Sequence, residues 1–206
     1  MSADVLKTLG ASNHCSEERE ENDFYATNPK DVELLFSECN IQFNKNILEP
    51  CAGLGHIANV FKNKGYNVTT WDLIQRSYPL DKQQDFLNQN EKFDGDIVTN
   101  PPYNLAYEFV NKSLDMISNG NKVVMLLKLT FLEGKKRRKL FDTKQLKNVY
   151  VFTNRTVCAK NGDEKEFDKG SAVAYAWFEW EKGYNGWPTL KWINGDKNSG
   201  MTEFFG

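Results

Sequence analysis

The chain has 206 residues, of which 40% are hydrophobic and 26% charged, a composition typical of one folded domain with its own core. Twenty-six basic residues stand against 28 acidic ones, so the net charge of −2 requires any nucleic-acid partner to bind a local basic surface. Apolar runs fall short of the ~20 residues of a membrane span, and the N-terminus lacks a signal-peptide pattern, which predicts a cytoplasmic protein without a membrane partner.

The first predicted boundary separates a polar arm from the folded domain. Residues 1–22 lack periodic apolar positions, which predicts a loosely packed arm before a single domain at residues 23–206. A first helix is predicted to begin at Pro29, because apolar residues recur at helical spacing from Val32 to Cys39.

Strands and helices then alternate along the chain. The pattern predicts strands at 46–48, 68–71, 97–99 and 123–127, and helices at 57–64 and 107–117. Such alternation is typical of βαβ units that build a parallel sheet with helices on both faces. Strands predicted at 149–152, 173–180 and 190–193 lack long helices between them. The predicted fold class is therefore α/β, a Rossmann-like sheet that is mostly parallel with an antiparallel edge near the C-terminus.

The C-terminal half has three unusual features. The polar connection at residues 153–170 is longer than most loops of compact domains and is expected to be functional or disordered. Between residues 122 and 160, eleven Lys and Arg residues stand against two acids, which predicts a basic surface. Four of the five tryptophans lie in the last thirty residues, and they are expected to pack in the core of a terminal hairpin.

A first motif, Glu-Pro-Cys-Ala-Gly-Leu-Gly at residues 49–55, follows a predicted strand and opens a predicted helix. Its glycines allow close approach of backbone to a ligand, while the acid disfavours a pyrophosphate and suits a cationic nucleoside. Asp72, at the end of the next strand, is expected to accept hydrogen bonds from ribose hydroxyls. Asp85 and Phe86 are expected to hold an adenine ring.

A second motif, Asn100-Pro101-Pro102-Tyr103, follows the strand at 97–99. The prolines restrict the backbone, so the Asn100 amide oxygen and the Pro101 carbonyl form a rigid pair of acceptors. Such a pair matches an exocyclic NH₂ group, whose nitrogen becomes more nucleophilic when both hydrogens are bound. Tyr103 is expected to stack on the base.

With these motifs the sequence resembles the adenine-N6 DNA methyltransferases, particularly the small enzymes of bacteriophages and prophages. Residues 49–55 are similar to the family's S-adenosylmethionine motif, and residues 100–103 match its catalytic tetrad at every position. The segment at 23–29 is similar to the motif that contacts the cofactor carboxylate, and 174–180 looks like the phage subgroup. The resemblance covers residues 13–193.

The resemblance implies a Rossmann-like methyltransferase sheet and methyl transfer from S-adenosylmethionine to adenine N6, without a metal, on a base flipped out of DNA. If the chain is phage-encoded, the cytoplasmic location predicted above is the cytoplasm of a bacterial host. Cofactor binding is carried over to Tyr25, Thr27, Glu49, Pro50, Gly53, Gly55, Asp72, Asp85 and Phe86. Catalysis is carried over to Asn100, Pro101, Pro102 and Tyr103.

Target recognition is expected to be weakly sequence-specific. Family members with strong specificity usually carry a recognition domain, and only 26 residues follow Trp180. Contacts to nucleic acid are instead expected from the basic segment and the long polar connection. The candidate residues are Lys135, Lys136, Arg137, Arg138 and Phe167, the last as a second base-stacking ring.

Other activities stay open. The same tetrad activates any planar NH₂ group, so RNA adenine or a protein glutamine is an alternative substrate. Glutamine methyltransferases usually have a helical domain before the cofactor motif, where this chain has the Tyr25 and Thr27 segment. A third alternative is a non-catalytic DNA-binding protein with the methyltransferase fold. Four scattered cysteines without a Cys-x-x-Cys pair predict neither a zinc site nor disulfides, and the oligomeric state is not predicted.

Overall fold

The computed structural model describes residues 25–160, 165, 167 and 171–194. Its strands are β1 (Tyr25–Ala26), β2 (Asn46–Glu49), β3 (Asn67–Asp72), β4 (Lys82–Gln83), β5 (Asp96–Thr99), β6 (Lys122–Lys128), β7 (Leu146–Phe152), β8 (Ala159–Lys160), β9 (Tyr175–Glu181) and β10 (Thr189–Ile193). Its α-helices are α1 (Pro29–Ser37), α2 (His56–Asn63), α3 (Ala106–Met116) and α4 (Arg138–Asp142). The predicted arm at 1–22 and its boundary lie outside the described residues.

Eight strands form one sheet in the order β10-β7-β9-β6-β5-β2-β3-β4. Strand β9 runs antiparallel to both of its neighbours, β6 and β7, while the other neighbouring strands pair in parallel. The predicted class, a mostly parallel Rossmann-like sheet with an antiparallel component from the C-terminal part, is confirmed. Strand β10 pairs in parallel with β7 at the sheet edge, and β1 and β8 form a separate antiparallel pair.

The predicted helices and long strands are present, and their ends differ from the expected ones by at most three residues. Helix α1 begins where its sequence caps it: the Asn28 side chain accepts a hydrogen bond from the Lys30 backbone N–H at 3.0 Å, and Pro29 occupies the first turn. The short strands β1, β4 and β8 and the five-residue helix α4 carry too little periodicity to be predicted. Among the described helices, none combines the length and the apolar content of a membrane span.

Two apolar clusters pack on the two faces of the sheet, and β6 contributes to both. Its alternate residues Val123, Met125 and Leu127 belong to the cluster beneath α3, whereas Val124 and Leu126 belong to the cluster beneath α1 and α2. A strand covered on both faces reads as a continuous apolar run, which is why residues 123–127 show no alternation. Strand β5, which leads into the second motif, is buried on both faces in the same way, through Ile97 and Val98.

Asp96 fixes the position of β5 within the sheet. Its buried carboxylate accepts hydrogen bonds from the backbone N–H groups of Asn44 and Lys122, each at 2.7 Å. Burial raises the pKa of this carboxyl group, and the two backbone bonds oppose the rise. These bonds tie β5 to the segments that enter β2 and β6, so the motif that follows β5 lies at the same sheet edge as the end of β2.

The expected packing of the C-terminal tryptophans is wrong for two of the four. Trp177 and Trp180 on β9 are fully buried. Trp187 is 81% exposed and Trp192 is 69% exposed. The reason is topological: β9 is flanked by strands on both sides, whereas β10 is an edge strand that pairs in parallel with β7 and forms no hairpin with β9.

Candidate active site

A cavity of about 180 Å³ opens at the edge of the sheet where β2, β3 and β5 end. In open α/β sheets, ligands bind at the carboxyl ends of the strands, where the loops after neighbouring strands diverge. The cavity is lined by Tyr25, Ala26, Thr27, Glu49, Pro50, Cys51, Ala52, Gly53, Leu54, His56, Ile57, Asp72, Leu73, Ile74, Arg76, Asp85, Phe86, Leu87, Asn100, Pro102, Leu105 and Phe109. The structure thus brings both sequence motifs and β1 to one place.

Of the nine residues predicted to bind the cofactor, eight line this cavity: Tyr25, Thr27, Glu49, Pro50, Gly53, Asp72, Asp85 and Phe86. Gly55 does not line it. In the tetrad, Asn100 and Pro102 line the cavity, while Pro101 and Tyr103 lie outside its wall. The assignments of individual roles stay predictions.

The turn between β2 and α2 depends on glycine at both motif positions. Gly53 and Gly55 have φ angles of 56° and 78°, the left-handed region that side chains disfavour. At Gly55 a Cβ atom would also lie 2.1 Å from Cδ2 of Tyr78, whose ring covers the turn. Gly55 therefore acts through the shape of the turn, which directs Gly53 and its neighbours toward the cavity.

Asp72 holds the glycine turn in place from the end of β3. Its Oδ2 accepts a hydrogen bond from the Gly53 backbone N–H at 2.8 Å, and its Oδ1 accepts one from the Ile74 N–H at 2.9 Å. The guanidinium of Arg76 lies 3.4 Å from Oδ1. A carboxylate accepts about four hydrogen bonds, and Asp72 lines the cavity, so this carboxylate can accept one more bond in addition to these three contacts.

Asp85 and Phe86 form the wall next to α3. The Asp85 carboxylate caps the 3-10 helix at residues 86–88, accepting hydrogen bonds from the Leu87 N–H at 2.9 Å and the Asn88 side chain at 2.5 Å. The Phe86 ring is 2% exposed and stacks on Phe109 at 5.0 Å. The structure therefore gives both residues packing and capping functions in addition to their place in the cavity wall.

Glu49 is a buried carboxyl group at the cavity, with 2% of its surface exposed. Its Oε2 has no hydrogen-bond partner among the described residues. Burial raises the pKa of Glu49 well above its usual range; a hydrogen bond from the Ala58 backbone opposes the rise, and the charge of Asp72 adds to it. Burial therefore favours the protonated form of Glu49, and a cationic ligand would favour its ionised form.

Asn100 presents an oriented acceptor to the cavity. Its Nδ2 donates a hydrogen bond to the Tyr25 carbonyl oxygen at 2.9 Å, which fixes the direction of the amide. The Oδ1 atom is buried and has no partner among the described residues. Since Tyr25 belongs to β1, which pairs with β8, the orientation of Asn100 depends on segments far away in sequence.

Tyr103 lies in an aromatic cluster beside the main cavity. Its ring is 6.0 Å from that of Tyr25 and 5.6 Å from that of Tyr175, and its hydroxyl donates to Cys158 Sγ at 3.2 Å. The ammonium group of Lys128 lies 4.9 Å from the ring centroid. Burial raises the pKa of Tyr103 well above its usual range, so the hydroxyl stays protonated. Its stacking on a target base stays a prediction.

The predicted nucleic-acid residues of the basic segment lie on the 3-10 turn at 135–137 and on α4. Lys135, Lys136 and Arg138 are exposed, and Arg138 pairs with Asp142 at 2.6 Å on the surface, a type of ion pair worth little in water. Arg137 differs from them, since it is half-buried and lines a second, smaller cavity next to Tyr103. Of these four residues, Arg137 lies beside Tyr103 of the tetrad, and the other three are exposed to solvent.

Phe167 contacts His56, the first residue of α2. Its ring is 6.0 Å from the ring of His56, nearly perpendicular to it, and His56 lines the main cavity. Residues 161–164, 166 and 168–170 of the predicted recognition loop lie outside the described residues. A base-stacking function of Phe167 stays a prediction.

Sequence reasoning missed several residues of the cavity wall. Arg76 is the clearest, because its guanidinium lies within reach of Asp72 and supplies a cation to the wall. The sequence carried no signal for it, because residues 73–76 form a loop, where a spacing of four residues implies no contact. Leu105 and Phe109, around the start of α3, had no signal either, since apolar residues in an amphipathic helix look alike whether they face a core or a ligand.

No protein-family model matches the sequence, and no curated protein matches it. Several solved structures have a fold similar to that of this chain. A proposed class I S-adenosylmethionine-dependent methyltransferase from Listeria monocytogenes superposes with a TM-score of 0.57 at 12% identity, covering 93% of this chain and 70% of that one. The modification subunit of a proposed type I restriction enzyme from Vibrio vulnificus gives 0.58 at 12%, covering 95% of this chain and 51% of the subunit.

The 23S rRNA methyltransferase ErmE superposes with a TM-score of 0.52 at 15% identity, covering 78% of this chain and 71% of that one. Identities this low show the fold alone. The chain has the Rossmann-like fold of S-adenosylmethionine-dependent methyltransferases, and it spans about half the length of the Vibrio subunit.

Proposed function

We propose that this protein transfers a methyl group from S-adenosylmethionine to the exocyclic N6 of adenine in DNA. The observation that carries the proposal is the Asn100 side chain, whose Oδ1 is buried without a partner among the described residues while its Nδ2 is held by Tyr25. A buried acceptor without a donor costs roughly 1–3 kcal/mol. The amino group of a planar base supplies that donor.

The residues of the main cavity fit S-adenosylmethionine. Glu49 offers the amino group of the ligand a carboxyl oxygen that has no partner among the described residues. Asp72 can accept one more hydrogen bond, from a ribose hydroxyl. The turn at Gly53 and Gly55 allows the backbone to approach the ligand closely. When bound, the cofactor would supply its sulfonium methyl group; the S–CH₃ bond would break as the N6–CH₃ bond forms, and N6 would lose one proton to solvent.

The tetrad prepares the adenine for this attack. Asn100 Oδ1 and the Pro101 carbonyl accept the two N6 hydrogens, which draws the lone pair out of the ring and makes N6 more nucleophilic. Asn100 needs no reorganisation for this function, because its amide is already oriented by the Tyr25 carbonyl. Tyr103 provides the ring on which the base stacks.

DNA is the proposed substrate because both motifs resemble those of adenine-N6 DNA methyltransferases and because a basic segment adjoins the tetrad. A base inside a duplex cannot reach a cavity at the sheet edge, so the adenine is flipped out. The exposed Lys135, Lys136 and Arg138 contact phosphates, which carry no sequence information. Methylation in many sequence contexts follows from this mode of binding, and Phe167 supplies the second stacking ring.

The test is methyl transfer from labelled S-adenosylmethionine to DNA, RNA and protein side by side, with mass spectrometry of the product nucleosides. The proposal expects N6-methyladenine in DNA. Asn100→Ala should lower the rate at least a hundredfold while cofactor binding persists, since one oriented acceptor of this type is worth about 10²–10³ in rate. Asn63→Ala, an exposed asparagine at the end of α2, serves as the matched control and should keep full activity.

Each alternative has its own outcome in this test. Label confined to RNA or to protein glutamine identifies another planar NH₂ substrate of the same cavity. Absence of all label, with cofactor binding absent and DNA binding preserved, identifies a non-catalytic binding protein. Full activity of Asn100→Ala contradicts the proposed mechanism whatever the substrate.

A further inference from the structure

A second cavity, of about 70 Å³, has Tyr103 of the tetrad in its wall. It is lined by Tyr103, Ala106, Leu127, Lys128, Thr130, Phe131 and Arg137. Among the described residues, the wall contains two cationic side chains and two hydroxyl groups, those of Tyr103 and Thr130, and no acidic residue. This composition favours an anion, and the position next to the tetrad connects it with the target nucleotide.

Arg137 is held in a fixed position at this cavity. Its Nε donates to the Glu133 carbonyl oxygen at 2.7 Å, its Nη2 donates to the Thr130 carbonyl oxygen at 3.1 Å, and its guanidinium lies 5.0 Å from the Phe131 ring centroid. These two bonds use two of the five N–H groups of a guanidinium. The remaining three donors are presented by a group whose rotamer freedom is already restricted, which lowers the entropy cost of binding a ligand.

Lys128 supplies the second cation from the end of β6. Its backbone is fixed by pairing with Tyr175 of β9, and its ammonium group is half-buried over the Tyr103 ring, at 4.9 Å from the centroid. A cation in this position is attracted by the electron-rich face of the ring. An adenine that stacks on the same face takes the place of the ammonium group, which then needs another anionic or electron-rich partner.

We propose that this cavity binds the backbone phosphate of the flipped nucleotide, through Lys128, Thr130 and Arg137. The inference rests on the proposed function, since it assumes a nucleic-acid substrate whose base stacks on Tyr103. One sugar joins that base to its phosphate, so the phosphate has to lie beside the stacking ring. When the base stacks on Tyr103, the Lys128 ammonium group leaves the ring and binds the phosphate. The planar guanidinium of Arg137 donates hydrogen bonds to the phosphate oxygens.

The experiment measures binding of a fluorescein-labelled oligonucleotide containing one adenine, by anisotropy across a series of salt concentrations. Each phosphate contact contributes about 0.7 to the slope of log affinity against log salt for a single strand, and about 0.9 for a duplex. Lys128→Gln and Arg137→Gln should each lower the slope by about that amount and weaken binding roughly tenfold at moderate salt. Lys92→Gln, at the opposite end of β5, is the matched control and should keep the wild-type slope.

Cofactor affinity, measured by calorimetry, should be unchanged in the variants, which separates loss of a phosphate contact from loss of the fold. A second variant, Arg137→Lys, keeps the charge and should retain the slope while binding more weakly. If the wild-type protein binds and methylates DNA but Lys128→Gln and Arg137→Gln keep the wild-type slope, the phosphate site is wrong and the proposed function stands. If the wild-type protein binds no nucleic acid, the phosphate site and the proposed function are both wrong.

Discussion

The substitution Asp31→Asn is expected to raise the free energy of unfolding at neutral pH and to remove part of its pH dependence. Asp31 lies in α1, is 5% exposed, and accepts a hydrogen bond from the Thr156 hydroxyl, while its backbone carbonyl accepts one from Trp177 Nε1 at 3.1 Å. Burial raises the pKa of this carboxyl group from 3.8 to about 6; the Thr156 bond and the charge of Lys30 oppose the rise.

The magnitude follows from this difference. A carboxyl group with a raised pKa binds its proton more tightly in the folded state than in the unfolded state, so folded-state stability falls as pH rises from about 4 to about 6 and is constant above. One pKa unit corresponds to about 1.4 kcal/mol, which gives a total loss of about 3 kcal/mol for the ionised Asp31. The amide that replaces the carboxyl group carries no charge, and its oxygen can still accept the Thr156 hydrogen bond.

Urea unfolding from about pH 4 to about pH 8 measures the effect. The difference in unfolding free energy between Asp31→Asn and the wild-type protein should grow by about 2.5 kcal/mol over this range, in favour of the variant, since part of the total is already lost at pH 4. Asp94→Asn is the control, since the Asp94 side chain is exposed and its charge stays hydrated on folding. A difference that is the same at pH 4 and pH 7 would refute the attribution of the shift to burial.

Three further predictions concern the main cavity. Gly55→Ala should abolish measurable cofactor binding in calorimetry, since its Cβ would lie 2.1 Å from the Tyr78 ring. Gly65→Ala is the control: its φ is 84° and the nearest contact of its Cβ is 3.9 Å, so this variant has only the conformational cost of about 1–2 kcal/mol and should bind the cofactor normally. Cofactor binding should release up to one proton from Glu49, seen as a binding enthalpy that depends on the ionisation enthalpy of the buffer; an equal dependence in Glu49→Gln would rule this source out. Asp72→Asn should weaken cofactor binding by about tenfold or more in the same assay, because the amide loses the charge that holds the Gly53 turn, and unchanged affinity would remove Asp72 from the site.

Much of the fold could be predicted because its signals are local. The apolar run at 123–127 predicts a strand buried on both faces, and Asn28 with Pro29 marks the start of α1. The short strands β1 and β8 could not be predicted, since two residues carry no periodicity and their pairing joins segments more than 130 residues apart. Trp187 and Trp192 were misjudged because burial depends on the strand order, which composition does not contain.

The sequence alone determined the two motifs at 49–55 and 100–103, because a glycine turn and an Asn-Pro-Pro-Tyr segment act through backbone conformations that those residues impose locally. Only the tertiary structure decided which polar atoms of the site find a hydrogen-bond partner within the protein. The Tyr25 carbonyl accepts a hydrogen bond from Asn100 Nδ2, while the buried Oδ1 has no partner among the described residues. Lys128 and Arg137 come from separate elements and lie together beside Tyr103. Hydrogen bonds and charge–charge contacts between distant segments depend on the strand order, so the spacing of residues along the chain does not predict them.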